Sequence, residues 1–260
     1  MEIAISKDGT RIAYNKTGSG PTVILVDGAF CSKDFGPMAK IAPLLSQSFT
    51  VITYDRRARG ESGDTKPYAI EREIEDINAL INIAGGTACL FGISSGAILA
   101  IRTVAAGLNV KKLAVLEPPF VGNKGNKRPA NAFQQLSQMI LENRRGDAVK
   151  FYLTKVIGVP AIIPFILRLT PNWPKMKAIA GSLPYDAAVC GDFNVPLQLV
   201  AKITIPTIAI DSIKSPDILR NAVEALAKVL PNGHRVSLKG KMHDVPAKIL
   251  VPALTDFYNS

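Results

Sequence analysis

Two serines stand side by side in "LFGISSGAIL", residues 90–99, framed as Gly92-Ile93-Ser94-Ser95-Gly96. A serine hydroxyl attacks a carbonyl effectively only when a base takes its proton. In a G-x-S-x-G frame the glycines permit a sharp strand-to-helix turn, and the middle residue is held exposed at its tip. Ser94 is therefore the candidate nucleophile. Ser95 follows it at the start of the helical pattern "SGAILAIRTVAAG", where its backbone N–H can face a developing oxyanion. The apolar run "TACLF" before the frame reads as a strand. That context favours a nucleophile turn over an ordinary Ser/Gly cap on a crossover helix.

A base must come from the two histidines of the chain. His234 opens the apolar run "HRVSLKG" and reads as a strand residue. His243 follows that strand in the loop "KGKMHDVP", where a side chain can reach over the carboxyl edge of a sheet. His243 is the candidate general base.

The elements that must position these residues are legible as alternating patterns. "EIAIS" and "RIAYNKTGSG" read as a hairpin turning at Asp8-Gly9. "TVILVDG", "FTVITYD", "TACLFG", "KKLAVLE", "IPTIAID" and "HRVSLKG" are short apolar runs that suit strands covered on both faces. Helical patterns fall at 37–46, 70–84, 95–106 and 216–230. This alternation predicts an α/β fold with a mostly parallel eight-stranded sheet and helices on both faces. Residues 120–202 break the rhythm with consecutive helical patterns and no evident strand. They read as a helical cap inserted between strands 6 and 7 of a core formed by 1–119 and 203–260. The cap's apolar run "AIIPFILRL" fits an acyl or alkyl site or the cap's own core, the latter preferred.

The formal charge of +10 is concentrated in this insertion, where basic residues from Lys124 to Lys177 outweigh Glu142 and Asp147. Such a segment can favour anionic substrates. A solvated helical face is the preferred reading, because no aromatic-interleaved groove accompanies the charge. No nucleic-acid partner is expected. With neither a signal-like start nor an apolar run of spanning length, the chain reads as cytoplasmic, with no membrane association. Cys31, Cys89 and Cys190 are odd in number and widely spaced, suggesting free thiols rather than a disulfide framework or a metal site.

Taken together, "TVILVDGAF", "TYDRRARGESGD", "FGISSGA", the helical insertion and the late strand–loop histidine resemble the α/β-hydrolase family along nearly the whole chain. The resemblance implies an esterase-like, cofactor-free enzyme acting on a small molecule. It also implies an oxyanion hole built from the N–H groups of Ser95 and Ala29. Phe30 is the near alternative donor and a substrate-facing residue. The family's usual His-Gly is Asp27-Gly28 here, which alters polarity near the pocket. The customary acid position, in "IAIDSIKSPDIL", holds Ser215. Asp211 and Asp217 flank it, one ending a strand and the other facing a helix N-terminus. The other site used in the family, after the sixth strand, holds Glu117 in "LAVLEPPF". Pro118 is expected to keep Glu117 extended. The order Ser94, Glu117, His243 matches the family, so Glu117 is the preferred acid. In "YDRRARGESGD" the arginines are expected to pin a loop, with substrate contact by Arg56 or Arg57 the lesser reading.

Three functions are compatible with these residues: a serine hydrolase of esters, thioesters or lactones, a non-hydrolytic enzyme using His243 as base, or a non-catalytic ligand receptor. An intact Ser/His/acid set argues against the receptor.

Overall fold

The computed structural model describes residues 1–122 and 128–260. Lys124 and Lys127, counted above in the basic segment, lie outside these. Eight strands form one sheet: β1 (Glu2–Ile5), β2 (Arg11–Thr17), β3 (Thr22–Val26), β4 (Thr50–Tyr54), β5 (Ala88–Ile93), β6 (Val110–Leu116), β7 (Thr207–Ser212) and β8 (Gly233–Leu238). Their order is β1-β2-β4-β3-β5-β6-β7-β8. The β1–β2 and β2–β4 pairings are antiparallel and the remaining pairs are parallel. The hairpin turns where expected, with Gly9 at φ 82°.

Side chains alternate along the central strands, so each strand feeds two cores. Leu90 of β5 joins one core while Cys89 and Phe91 join the other. Helices α1 (Pro37–Leu45) and α11 (Ala247–Asn259) cover the second face with Met38, Ile41, Leu250 and Leu254. On the first face lie α2 (Ile70–Ile83), α3 (Ser95–Ala105) and α10 (Asp217–Val229), contributing Ile77, Ile98 and Val223 among others.

Between β6 and β7 the chain is helical: α4 (Ala132–Leu141), α5 (Arg145–Phe151), a π-helical continuation (Tyr152–Ile157), α6 (Ile162–Leu167), α7 (Asn172–Ile179), α8 (Leu183–Cys190) and α9 (Leu197–Val200). Its Leu136, Val149, Leu183 and Val189 are buried in the first-face core. The run "AIIPFILRL" joins the core only through Pro164 and Leu167. Ile162, Phe165, Ile166 and Leu169 are exposed, and of α6 only Pro164 is buried. A six-residue helix that is apolar all round can bury only one side. No helix among the described residues is long and apolar enough to cross a membrane.

Candidate active site

Starting from β3, the chain adds β4 on one side and then β5 on the other, so the sheet has a topological switch point between β3 and β5. Loops leaving the carboxyl ends of those strands face a common crevice. Ser94 leaves β5 there, and Gly28 follows β3. The turn at Ser94 has φ 55° and ψ −126°, a strained conformation for a residue with a side chain. Its glycines are dictated by contact. A Cβ on Gly92 would lie 2.6 Å from the Gly96 carbonyl oxygen, and one on Gly96 would lie 2.2 Å from that of Val26. Only glycine lets α3 approach β3 and β5 so closely.

His243 lies in the loop after β8, half-buried, at φ 55°. Its ring Nδ1 is 2.8 Å from Glu117 Oε2, and the same oxygen accepts its backbone N–H at 2.7 Å. The ring N–H does not point straight at the carboxylate, so Nδ1 has no well-aligned hydrogen bond. Such pairs commonly tighten only around bound substrate. The other carboxylate oxygen, Oε1, accepts the Ser212 N–H at 2.9 Å and the Ser215 hydroxyl. Ser215, at the customary acid position, thus donates to Glu117, the candidate acid. Glu117 is fully buried. Burial pushes its carboxyl up, but His243, the Ser215 hydroxyl and the Ser212 N–H together hold it below the usual glutamate value. Its backbone is not extended as expected but left-handed, at φ 47°. The backbone bond from Glu117 N–H to the Ile210 carbonyl fixes it at the sheet edge, and the carboxylate's ties supply the compensation for the strain.

The other two carboxylates are engaged elsewhere. Asp211 is buried against Arg220, Arg235 and Ser237. The Asp217 side chain is 91% exposed, with Arg220 as its distant partner. His234 is exposed on the edge strand β8.

Ser94 and His243 line one cavity of about 550 Å³ with Gly28, Ala29 and Phe30. Among the described residues, the N–H groups of Ala29, Phe30 and Ser95 have no protein acceptor, leaving them available to an oxyanion. The Phe30 ring meets Tyr152 edge-on, with centroids 5.5 Å apart. Asp27 lies outside this lining. Burial pushes its carboxyl up to about 8 despite Arg59, and Oδ1 has no hydrogen-bond partner. A separate open groove of about 830 Å³, lined by Arg144, Arg145, Arg168, Trp173 and Lys177, shares no residue with the cavity. Lys150, Lys155, Lys175 and Lys177 are exposed, but contrary to expectation an aromatic ring does stand among the basic side chains, the Arg168 guanidinium carbon lying 5.3 Å from the Trp173 ring centroid. No cluster of His, Cys, Asp and Glu suited to a metal ion occurs among the described residues.

One residue that braces the site was not read from the sequence. Asp186, on α8, is completely buried and accepts the Ser95 hydroxyl at 2.8 Å. Arg59 binds it with bonds of 2.7 and 2.8 Å, and Arg56 adds one of 2.8 Å. Arg59 also donates to the Gly28 carbonyl at 2.6 Å, and Arg56 reaches that of Asp27 at 3.3 Å. Burial pushes the Asp186 carboxyl up, but Arg59, Arg56 and the Ser95 hydroxyl outweigh this and hold it below its usual value. Both proposed oxyanion segments are thereby tied to one carboxylate on the helical insertion. Arg57 is likewise occupied, by Asp76 and Asp8. The arginines brace the loop, and neither Arg56 nor Arg57 lines the cavity. A detectable signal for Asp186 was its isolation: it is the only acidic residue between Asp147 and Asp192.

The Ser215 contact yields a prediction. Ser215→Ala removes a hydrogen bond to a buried carboxylate and lowers stability at pH 7 by about 1–3 kcal/mol. Glu117's folded value is lowered, so its stabilisation is full above the ordinary glutamate value of 4.5 and is lost as pH falls through the folded value. Urea midpoints of the two proteins should therefore differ most near neutrality and converge in acid. A gap that widens on acidification contradicts this assignment.

A model of the alpha/beta hydrolase family matches residues 23–246. An alpha/beta hydrolase from Sphaerobacter thermophilus is 43% identical, with a TM-score of 0.92, over 99% of this chain and 100% of that one. The enol-lactonase of Burkholderia xenovorans shares the fold at 17% identity and a TM-score of 0.73, with full coverage of both chains. In sequence, the uncharacterized hydrolase YraK of Bacillus subtilis is 26% identical over 146 residues, 55% of this chain. That match spans about half of the relative's length, 53%.

Proposed function

Because the chain belongs to the alpha/beta hydrolase family, we propose that it is a carboxylesterase-like serine hydrolase, cleaving a small ester, thioester or lactone through an acyl-enzyme on Ser94. The observation that carries this reading is the 2.8 Å approach of Glu117 Oε2 to His243 Nδ1, with His243 and Ser94 lining the same cavity.

In the proposed reaction, His243 Nε2 takes the Ser94 hydroxyl proton as Oγ attacks the substrate carbonyl. Glu117 holds the Nδ1–H tautomer and stabilises the imidazolium that forms. The negative charge on the tetrahedral oxygen falls to the Ser95 N–H together with that of Ala29 or its neighbour Phe30. His243 returns its proton to the leaving alcohol or thiol, or to the ring oxygen of a lactone. Water, activated by the same imidazole, then releases the acid and restores Ser94. Such an enzyme takes a small-molecule substrate, uses no cofactor for acyl transfer, and works in the cytoplasm.

A fluorophosphonate probe tests the nucleophile directly. Mass spectrometry of the labelled protein is expected to place the adduct on Ser94, with labelling lost in Ser94→Ala. Folded protein that takes up no label contradicts the reading. A series of 4-nitrophenyl esters then reports acyl size. Labelling of Ser94 without turnover of any ester points instead to the non-hydrolytic chemistry of an activated histidine.

A further inference from the structure

The cavity shared by Ser94 and His243 is walled largely by apolar side chains, and Arg128 is its one lysine or arginine among the described lining residues. Arg128 donates from Nε to the Val156 carbonyl at 2.8 Å and from Nη1 to that of Gly122 at 2.6 Å. Its guanidinium carbon lies 4.1 Å from the centroid of the Phe193 ring. These contacts orient the fork without neutralising it.

The fully buried arginines of this protein differ from half-buried Arg128 in being paired with acids. Arg56, Arg57 and Arg59 each meet a buried carboxylate. No carboxylate pairs with Arg128 among the described residues, and residues 123–127 contain neither Asp nor Glu. No carboxylate side chain occurs among the described residues lining the cavity either. Burial pulls the guanidinium below its ordinary value, with the Cys190 thiol the opposing influence. It remains charged, because arginine does not lose its proton in proteins. A partly desolvated cation beside an apolar cavity is costly until an anion meets it, and a planar fork matches a carboxylate well.

We infer that Arg128 is a substrate anchor, and that the preferred substrate carries a carboxylate which pairs with this guanidinium while its ester or lactone carbonyl lies at Ser94. The inference rests on the serine-hydrolase reading for the reacting carbonyl, but the anchor itself is a binding site. The exposed lysines of the insertion, Lys150 and Lys155 among them, add to the positive field that an approaching anion meets.

The test compares 4-nitrophenyl hemiesters of adipic, pimelic and suberic acids with neutral counterparts that end in a primary amide. The enzyme is expected to favour the acid of best-fitting length by about 10- to 100-fold in kcat/KM, chiefly through KM. Arg128→Met should abolish that preference, and Arg128→Lys should keep part of it. Because the acid-to-amide ratio is read within each variant, a general loss of activity cancels. An unchanged ratio in Arg128→Met, or preference of the unmodified enzyme for the amide, overturns the anchor and leaves Arg128 a brace for the chain at Gly122 and Val156. Calorimetric titration with adipate and with adipamide separates this inference from the hydrolase reading. Adipate binding that Arg128→Met abolishes supports the anchor even if no ester is hydrolysed. Equal binding of the two probes, or none of either, overturns it.

Discussion

Glu117→Gln is expected to yield a folded protein whose kcat on an ester substrate is lower by roughly a thousand- to ten-thousand-fold. The carboxylate accepts on both oxygens, from the Ser212 N–H and the Ser215 hydroxyl at Oε1 and from the His243 backbone N–H at Oε2, where the His243 ring Nδ1 also lies 2.8 Å away. An amide must turn its NH₂ toward one of these donor groups. Turned toward His243, it favours the tautomer with Nδ1 as acceptor, so Nε2 carries a proton and cannot take that of Ser94. Turned the other way, it opposes the Ser212 N–H and loses the charge that stabilises the imidazolium. The same substitution removes charge-assisted hydrogen bonds and lowers stability by about 1–3 kcal/mol. Circular dichroism and steady-state kinetics on the same preparation separate the two effects. Glu117→Asp, which keeps the charge on a shorter stem, provides the intermediate case. Near-normal kcat in folded Glu117→Gln would sink the assignment of this residue as the acid.

Asp186→Ala should have the largest effect on stability. It leaves Arg59 without a carboxylate partner, strips one from Arg56, which retains Glu73, and orphans the Ser95 hydroxyl. Breaking a buried ion pair from one side costs about 3–5 kcal/mol. For a chain of this size that lowers Tm by roughly 10 °C. Activity falls as well, because the Gly28 carbonyl and Ser95 lose the tether that relates the two oxyanion segments. The pH dependence has a defined sign. Asp186's folded value is lowered, so its contribution is complete above the ordinary aspartate value of 3.8 and disappears as pH falls through the folded value. The Tm difference between the two proteins should hold from neutrality to about pH 4 and close below it. A Tm within a degree or two of the unmodified protein at pH 7 would show that Asp186 braces nothing.

The elbow was readable because steric limits act over five residues. Gly92 and Gly96 touch backbone in the structure, and no larger residue fits either place. The sheet was readable because strands buried on both faces are apolar at nearly every position, as β5 illustrates. Glu117 was readable by position, since a carboxylate at the carboxyl end of a central strand has few structural reasons to be there. Its conformation was not, because the preference imposed by Pro118 is weaker than the three hydrogen bonds gathered on its side chain. Asp186 and Arg128 lie beyond local patterns altogether. Their proposed roles rest on partners far away in sequence, such as Arg59 for Asp186 across 127 residues, or, for Arg128, on the want of a carboxylate partner among the described residues. The run "AIIPFILRL" misled for the converse reason: apolar composition says what a segment can bury, not whether a neighbour is there to cover it.

The unequal attachment of the helical insertion has a consequence for traffic into the cavity. At α8 it is bolted by a carboxylate that cannot leave Arg56 and Arg59 without stranding charges in the interior. At α6 most of its apolar side chains already face solvent, so little burial is forfeited when that end shifts. Ile157, Gly158 and Val159, just before α6, form part of the cavity wall. Opening the wall near α6 would therefore forfeit less burial and strand fewer charges than opening it at α8. The proposed oxyanion N–H of Ser95 stands at the firmly attached end, where Asp186 accepts the Ser95 hydroxyl.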